Sequence, residues 1–383
     1  MGAASSAPYE DRKVVVVGAG YAGTAVAKEL DKLFDVTLID RRDHMQHAIG
    51  QLRAAVVGGE FASSTLIPTD RVLKRGKVLK AAVTSISPET VKLEGGSEIH
   101  IRPGRDFLVI ATGSTVAAPA QFDGLTREAV AAQHADIKAK IDSARHVLVV
   151  GGGPVGVELA GEIRDAHPDK RVTIVHRGRH LCSSKDGGNG DVRLPDSFGA
   201  SLKDLCEERS IEVRLGVSVP ASTSTHEAGA DLALSDGTSV AGVDLIMWAS
   251  GAKPNNATFR TTMAASLDEA GRLVTEPSLL VRGSEHVFAL GDCAETGASK
   301  TAYMVGAQAP VVAGNVKALA DGKPATGLKA FTCGTPAMVV PVGAAYGRGI
   351  LPFCGGIQIG NSMVSSAKGK TLFLDKTRAD LGY

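Results

Sequence analysis

Residues 14–23 read Val-Val-Val-Val-Gly-Ala-Gly-Tyr-Ala-Gly, and this stretch decides the fold. Four consecutive valines predict a strand buried on both faces, as in a parallel sheet covered by helices. Gly18, Gly20 and Gly23 follow as G-x-G-x-x-G, with Ala19, Tyr21 and Ala22 between them, and a helical pattern runs from Ala22 to Leu33. Strand, tight turn and helix in that order are the context a dinucleotide-binding fingerprint requires. Gly18 allows the turn, Gly20 lets a pyrophosphate approach the backbone, and Gly23 lets helix and strand pack closely. The helix N-terminus offers free N–H groups and a positive dipole end to the phosphates. A second strand, 36–40, ends at Asp40, placed to accept from a ribose hydroxyl.

The pattern starts again near residue 146. The run His146-Val-Leu-Val-Val150 leads into Gly151, Gly153 and Gly156, then a helix from Val157 to Ala166 and a strand over 171–176. One fingerprint implies one bound dinucleotide; two in one chain imply that two dinucleotides meet. The copies differ where the second strand ends: His176, Arg177 and Arg179 stand where the first copy has Asp40. Arginines there accommodate a 2′-phosphate, so the second site is expected to accept NADPH, and NADH as well. A solvated basic loop without selectivity is the other reading. The repeat extends further, since Asp106-Phe-Leu-Val-Ile-Ala-Thr-Gly113 is mirrored by Asp244-Leu-Ile-Met-Trp-Ala-Ser-Gly251. Near the end a strand enters the turn Gly291-Asp292, and a helix follows over 301–320 that Pro310 should kink.

Composition narrows the classes. A chain of 383 residues has room for two or three domains, and 42 basic against 41 acidic residues leave no field that favours nucleic acid. No run of eighteen apolar residues exists, so no transmembrane helix is expected. Five cysteines, at 182, 206, 293, 333 and 354, show neither C-x-x-C nor metal-ligand spacing. They read as reduced, buried thiols, with no dithiol centre and no metal. The N-terminus Met1-Gly2-Ala-Ala-Ser-Ser6 fits the acylation pattern M-G-x-x-x-[ST], making Gly2 a candidate myristoyl acceptor within a flexible tail, 1–12. A small-residue tail without lipid is the alternative. One such chain holds a membrane only marginally, so a second contact is needed. The basic clusters at 74–80 and 368–378 offer one, or are solvated faces. Arg53 is a candidate phosphate or flavin contact, His47 reads as a packed loop histidine, and the polar Gly-rich run 182–194 reads as a mobile loop.

Residues 13 to about 320 carry these motifs in the order that resembles the two-dinucleotide-binding flavoprotein reductases. That resemblance implies an α/β fold of two Rossmann-like domains plus a small C-terminal α+β domain. Residues 13–120 and 255–325 would bind FAD, 121–254 would bind NAD(P)H, and 326–383 would face a quinone or membrane. It further implies that Asp292 bonds the flavin ribityl chain and that the Thr112-Gly113 turn closes over the FAD. A backbone group near Val83 would meet the adenine, and Glu158 would face the nicotinamide carboxamide. Within that superfamily, Met1-Gly2, the stretches 47–53 and 151–162, and Leu290-Gly-Asp-Cys-Ala294 resemble the ferroptosis suppressor proteins, also called apoptosis-inducing-factor-like mitochondrion-associated inducers of death. The 182–194 loop and Pro310 depart from that family's pattern. Type II NADH dehydrogenases share much of the second fingerprint but carry a longer C-terminal pair of membrane helices.

The likeness implies an NAD(P)H:quinone oxidoreductase, with FAD or 6-hydroxy-FAD, that keeps ubiquinone or vitamin K-type quinones reduced as lipid-radical traps. It would lie on the cytoplasmic face of membranes (lipid droplet, plasma membrane, outer mitochondrial membrane) and in the cytosol. Lys368 would stabilise the developing quinol oxyanion and Phe373 would pack on the ring; an ordinary surface lysine and a core phenylalanine are the plain alternatives. The oligomeric state stays open, a homodimer included. Two other functions stand beside it: a soluble reductase serving a protein or an ascorbyl-type radical, which needs the same nucleotide residues, and a redox-gated signalling or DNA-binding protein in the style of apoptosis-inducing factors, which the balanced charge weakens.

Overall fold

The computed structural model describes residues 8–183, 194–220, 223, 229–249, 251–334, 337–352 and 356–383. The acylation position Gly2 and nearly all of the Gly-rich 182–194 run lie outside them. Two parallel sheets carry the chain. The first has five strands in the order Val287–Ala289, Phe107–Ile110, Tyr9–Val17, Phe34–Asp40 and Lys77–Lys80. The second has four, in the order Ile211–Leu215, Arg171–His176, His146–Val150 and Leu245–Trp248. In each, a helix crosses between the first two strands of the unit, Tyr21–Leu30 in one and Pro154–Ala166 in the other.

The valine runs are central because both their faces are covered. Val14 and Val16 pack into one apolar cluster with Val26 and Leu30, whereas Val15 and Val17 pack into another with Ile86 and Phe259. In the second unit Val147 and Val149 likewise face away from Leu148 and Val150. Successive strand residues point to opposite faces, so a run with no polar residue is stable only between two cores.

The repeat also reproduces a latch. Asp106, fully buried, accepts from the Lys13 N–H at 3.1 Å at the start of the first strand. Its counterpart Asp244 accepts from the N–H groups of Arg145 and His146 at 2.8 and 2.9 Å. Burial opposes the charge on Asp106, yet the Arg102 guanidinium and the backbone donors hold its carboxyl below the usual range.

One expectation shifts in detail, and two further segments are defined more closely. The helix from Ala22 ends at Leu30 rather than Leu33, because Asp31 turns its carboxylate to the N–H groups of Lys74, Arg75 and Gly76. The stretch 78–86 is two strands: Lys77–Lys80 joins the parallel sheet, and Val83–Ser87 pairs antiparallel with Thr90–Leu93. The helix Ala302–Ala320 carries Pro310 inside it.

The tail forms an antiparallel sheet of Met338–Pro341, Gly347–Leu351 and Ile357–Ile359, followed by short helical turns. It is not packed only on itself. Val340, Val342 and Ile350 complete the core beneath Pro154–Ala166, and Leu374 and Leu381 join the core of the first unit. At Gly161 the tail backbone lies so close to the helix that a Cβ would overlap Val342 and Gly343.

Two buried histidines stand between these layers. His47 bonds the Leu372 carbonyl at 2.8 Å, and His134 bonds Gln51 at 2.7 Å. Burial lowers both from 6.5 to about 4. Below pH 6.5 the unfolded chain binds protons on these rings that the folded chain refuses, so stability is complete above that pH. It should fall by about 1.4 kcal/mol per pH unit for each ring between 6.5 and 4. Denaturant unfolding at pH 7, 6 and 5 checks this, and a flat profile would contradict it. Asp106→Ala, which removes the acceptor of the part-buried Lys13 and Arg102 N–H groups, should lower the unfolding free energy by about 1–3 kcal/mol in the same assay at pH 7.

Candidate active site between two nucleotide cradles

Each valine strand runs into a turn that only glycine can make. Gly18 and Gly151 have φ of +104° and +123°, and a Cβ on Gly23 or Gly156 would overlap the carbonyl oxygen of Gly18 or Gly151. By contrast, a Cβ on Gly20 or Gly153 would meet nothing within 4 Å. Tight packing behind and open space in front is the shape a pyrophosphate needs to reach the backbone N–H groups of a helix start. The residues present therefore fit a dinucleotide in both places.

The second strands end alike in geometry and differ in charge. Asp40 accepts from the Ala19 N–H at 2.7 Å and from the Arg42 N–H at 2.9 Å. His176, in the equivalent place, accepts from the Gly152 N–H through Nδ1 at 3.1 Å. Both side chains brace their glycine turn, a role the ribose reading alone did not include. Arg177 follows on the surface.

Beyond Asp40 opens a cavity of about 780 Å³, lined among others by Gly18, Asp40, Arg42, Val83, Thr112 and Asn255. Arg42 closes one side by donating to the carbonyls of Phe122 and Gly124 at 2.9 and 3.0 Å. Thr112 and Gly113 are stapled to the crossing strand: Thr112 donates to the Asn255 carbonyl at 2.8 Å, and the Asn255 N–H donates to Gly113 at 2.9 Å. Asp292 accepts from Ser114 at 2.7 Å. Asn255 and Ser114 escaped the sequence reading, because their partners are about 140 and 180 residues away.

Beside the second cradle lies a set of four charges whose side chains are only 7–14% exposed. Glu158 and Glu162 lie one turn apart on the helix after the second glycine turn, facing the same way. Lys368 donates to Glu158 at 2.7 Å and to the Val339 carbonyl at 3.2 Å. Arg53 grips both oxygens of Glu162 at 2.8 Å. Burial pushes both carboxyls up, and their cations oppose it. Arg53 is thus committed to Glu162 and the tail and does not line the cavity beside Asp40. Glu162 was legible as a neighbour of Glu158; its partner was not.

The tail reaches this place as a strap. A turn of π-helix, Ser365–Gly369, presents Lys368, and the chain then passes Leu372 and Phe373, which have φ of +51° and +58°. Phe373 is partly exposed rather than a core residue. The carbonyl of Leu372 can only accept, so His47 carries its hydrogen on Nε2, and its Nδ1 accepts from the Tyr21 hydroxyl at 2.8 Å. Tyr21 of the first cradle thus reaches the tail through His47, and Glu158 of the second reaches it through Lys368. His47 is the packed histidine its sequence context indicated.

Comparison with known proteins agrees with this geometry. The family described as pyridine nucleotide-disulphide oxidoreductase matches residues 12–310. Apoptosis-inducing factor homolog B of Dictyostelium discoideum is 31% identical, covering 96% of each chain. Ferroptosis suppressor protein 1 of Xenopus laevis is 31% identical, covering 97% of this chain and 96% of its own. The solved sulfide:quinone oxidoreductase of Aquifex aeolicus superposes with a TM-score of 0.72 at 17% identity, covering 96% of this chain and 92% of that one, which shows the shared fold. With two glycine cradles, a tail tied to both and these relatives, the chain belongs to the pyridine nucleotide-disulphide oxidoreductase family and is an FAD-dependent pyridine nucleotide oxidoreductase.

Proposed function

We propose that the protein is an NAD(P)H:quinone oxidoreductase that reduces ubiquinone-type quinones to radical-trapping quinols at a membrane surface. The observation that carries this reading is the Lys368–Glu158 pair at the junction of the tail with the second cradle, on the same strap as the partly exposed Phe373. The chemistry supplied by bound FAD would be hydride acceptance from the nicotinamide and two-electron transfer, with NAD(P)H, a proton and a quinone giving NAD(P)⁺ and a quinol. The chain must then bind two nucleotides, bring the acceptor to the junction and deliver a proton to oxygen.

In this reading the N–H groups after Gly18 and Gly151 hold the two pyrophosphates. Asp40 faces the adenosine ribose, the backbone at Val83 the adenine, and Asp292 with Thr112 and Gly113 the ribityl side. Glu158 orients the nicotinamide carboxamide, and Arg177 meets the nucleotide's adenosine phosphate. Lys368, held by Glu158, offers a charged N–H to the quinone oxygen as electron density arrives there, which is electrostatic stabilisation placed where charge develops. Phe373 stacks on the quinone ring. The relatives named ferroptosis suppressor protein 1 support a role in suppressing ferroptosis, and acylated Gly2 would bring the site to a lipid-soluble substrate. None of the helices among the described residues is long and apolar enough to cross a membrane, so a lipid chain with a second contact is the attachment this reading uses.

The test is anaerobic stopped-flow on flavin-loaded protein, bleaching with NADPH or NADH and then adding a water-soluble ubiquinone analogue. Rapid recolouring is expected in the wild type; bleaching without recolouring would move the acceptor to a protein or radical. Lys368→Met should slow recolouring about a hundredfold or more beyond any slowing of bleaching, the loss expected for one oxyanion donor. The glycine turns separate the cradles by colour. Gly23→Ala should purify without flavin, whereas Gly156→Ala should stay yellow but bleach slowly with either nicotinamide. A yellow Gly23→Ala protein would contradict the assignment of the first cradle.

A further inference from the structure

We infer that Arg53 is a positioning residue that sets Lys368 at the junction, an inference that rests on the reading of Lys368 given above. Besides Glu162, Arg53 donates to the carbonyls of Gly369 and Lys370, at 2.6 and 2.9 Å. These are the two peptide carbonyls that immediately follow Lys368, at the end of the π-helical turn. The strap is thereby referenced twice to the helix Pro154–Ala166: its side chain through Glu158, and its backbone, one helical turn further, through Arg53 and Glu162.

The double reference matters because a lysine is a point charge on a flexible stem. The ion pair with Glu158 alone lets the ammonium pivot about the carboxylate while the backbone drifts. Fixing the backbone beside Lys368 removes that freedom. A planar guanidinium suits the task, since it grips a carboxylate with one edge and carbonyls with its remaining donors. A lysine at position 53 would keep the charge opposite Glu162 and lose the fork.

The strap also needs holding. Leu372 and Phe373 occupy the left-handed region in succession, a conformation that L side chains avoid. His47 fastens the Leu372 carbonyl, and Arg53 fastens the chain two residues earlier. Both fasteners flank or belong to the single helix Ala48–Val57, which packs on Pro154–Ala166 through Leu52 and Val56. Without Arg53, the stretch between Lys368 and Leu372 loses its attachment to that helix and relaxes.

The experiment uses full-length, flavin-loaded Arg53→Lys. Recolouring by the ubiquinone analogue is expected to slow about ten- to a hundredfold relative to bleaching, the usual consequence of an ångström-scale misplacement. Amide hydrogen exchange in the peptide 366–374 should accelerate, a readout independent of turnover. In a Lys368→Met background, Arg53→Lys should add no further slowing, because the group it positions is gone. Arg53→Met with Glu162→Met removes both charges at similar volume, and should fold yet recolour as slowly as Arg53→Lys.

Wild-type recolouring in Arg53→Lys, or an effect that adds in full to that of Lys368→Met, would overturn the positioning role alone. Wild-type recolouring in Lys368→Met by itself would overturn both this inference and the acceptor reading beneath it.

Discussion

Two carboxylates one turn apart on a buried helix face need two cations, and most of the architecture around the junction follows from that need. Glu158 and Glu162 carry like charges into a place where water is scarce, and neither could remain ionised there alone. Lys368 and Arg53 come from opposite ends of the chain to neutralise them. Truncating one member of such a set leaves an uncompensated buried charge, which costs about 3–5 kcal/mol. The arrangement is therefore self-consistent as a whole and hard to dismantle piecemeal. It also explains why the tail folds back between the two nucleotide units rather than capping one of them.

The internal repeat is visible at three levels that differ in how much they say about function. The glycine turns repeat in packing, the Asp106 and Asp244 latches repeat in hydrogen bonding, and the braces at Asp40 and His176 repeat in place but not in charge. Geometry is preserved where the backbone must turn. Charge diverges at the ends of the second strands, a carboxylate at Asp40 in one unit and an imidazole at His176 followed by Arg177 in the other.

The cradles were legible in the sequence because their determinants are local. A valine run, three glycines and a strand-ending side chain lie within about 30 residues, and their periods and spacings name the elements directly. The junction was legible only in part. Glu158 and Lys368 came from resemblance, and nothing in their spacing announced that they pair across 210 positions. Arg53 shows the limit most clearly: its place after the second strand favoured a phosphate or flavin contact. Only the folded chain shows Glu162 and two tail carbonyls occupying its guanidinium. Asn255 and Ser114 were missed for the same reason. Side-chain contacts between distant segments leave no periodicity behind.

The tail's division between the two cores has a consequence for how the molecule is made. Val340, Val342 and Ile350 fill one core and Leu374 and Leu381 the other, so segments synthesised after both nucleotide units are needed to complete each of them. During translation the two units emerge with apolar faces still open, and neither reaches its final packing while the ribosome is adding residues 338–381. Vectorial folding, domain by domain, is thus replaced by a late closing step. The interval before it is when this chain is most exposed to aggregation and to holding chaperones.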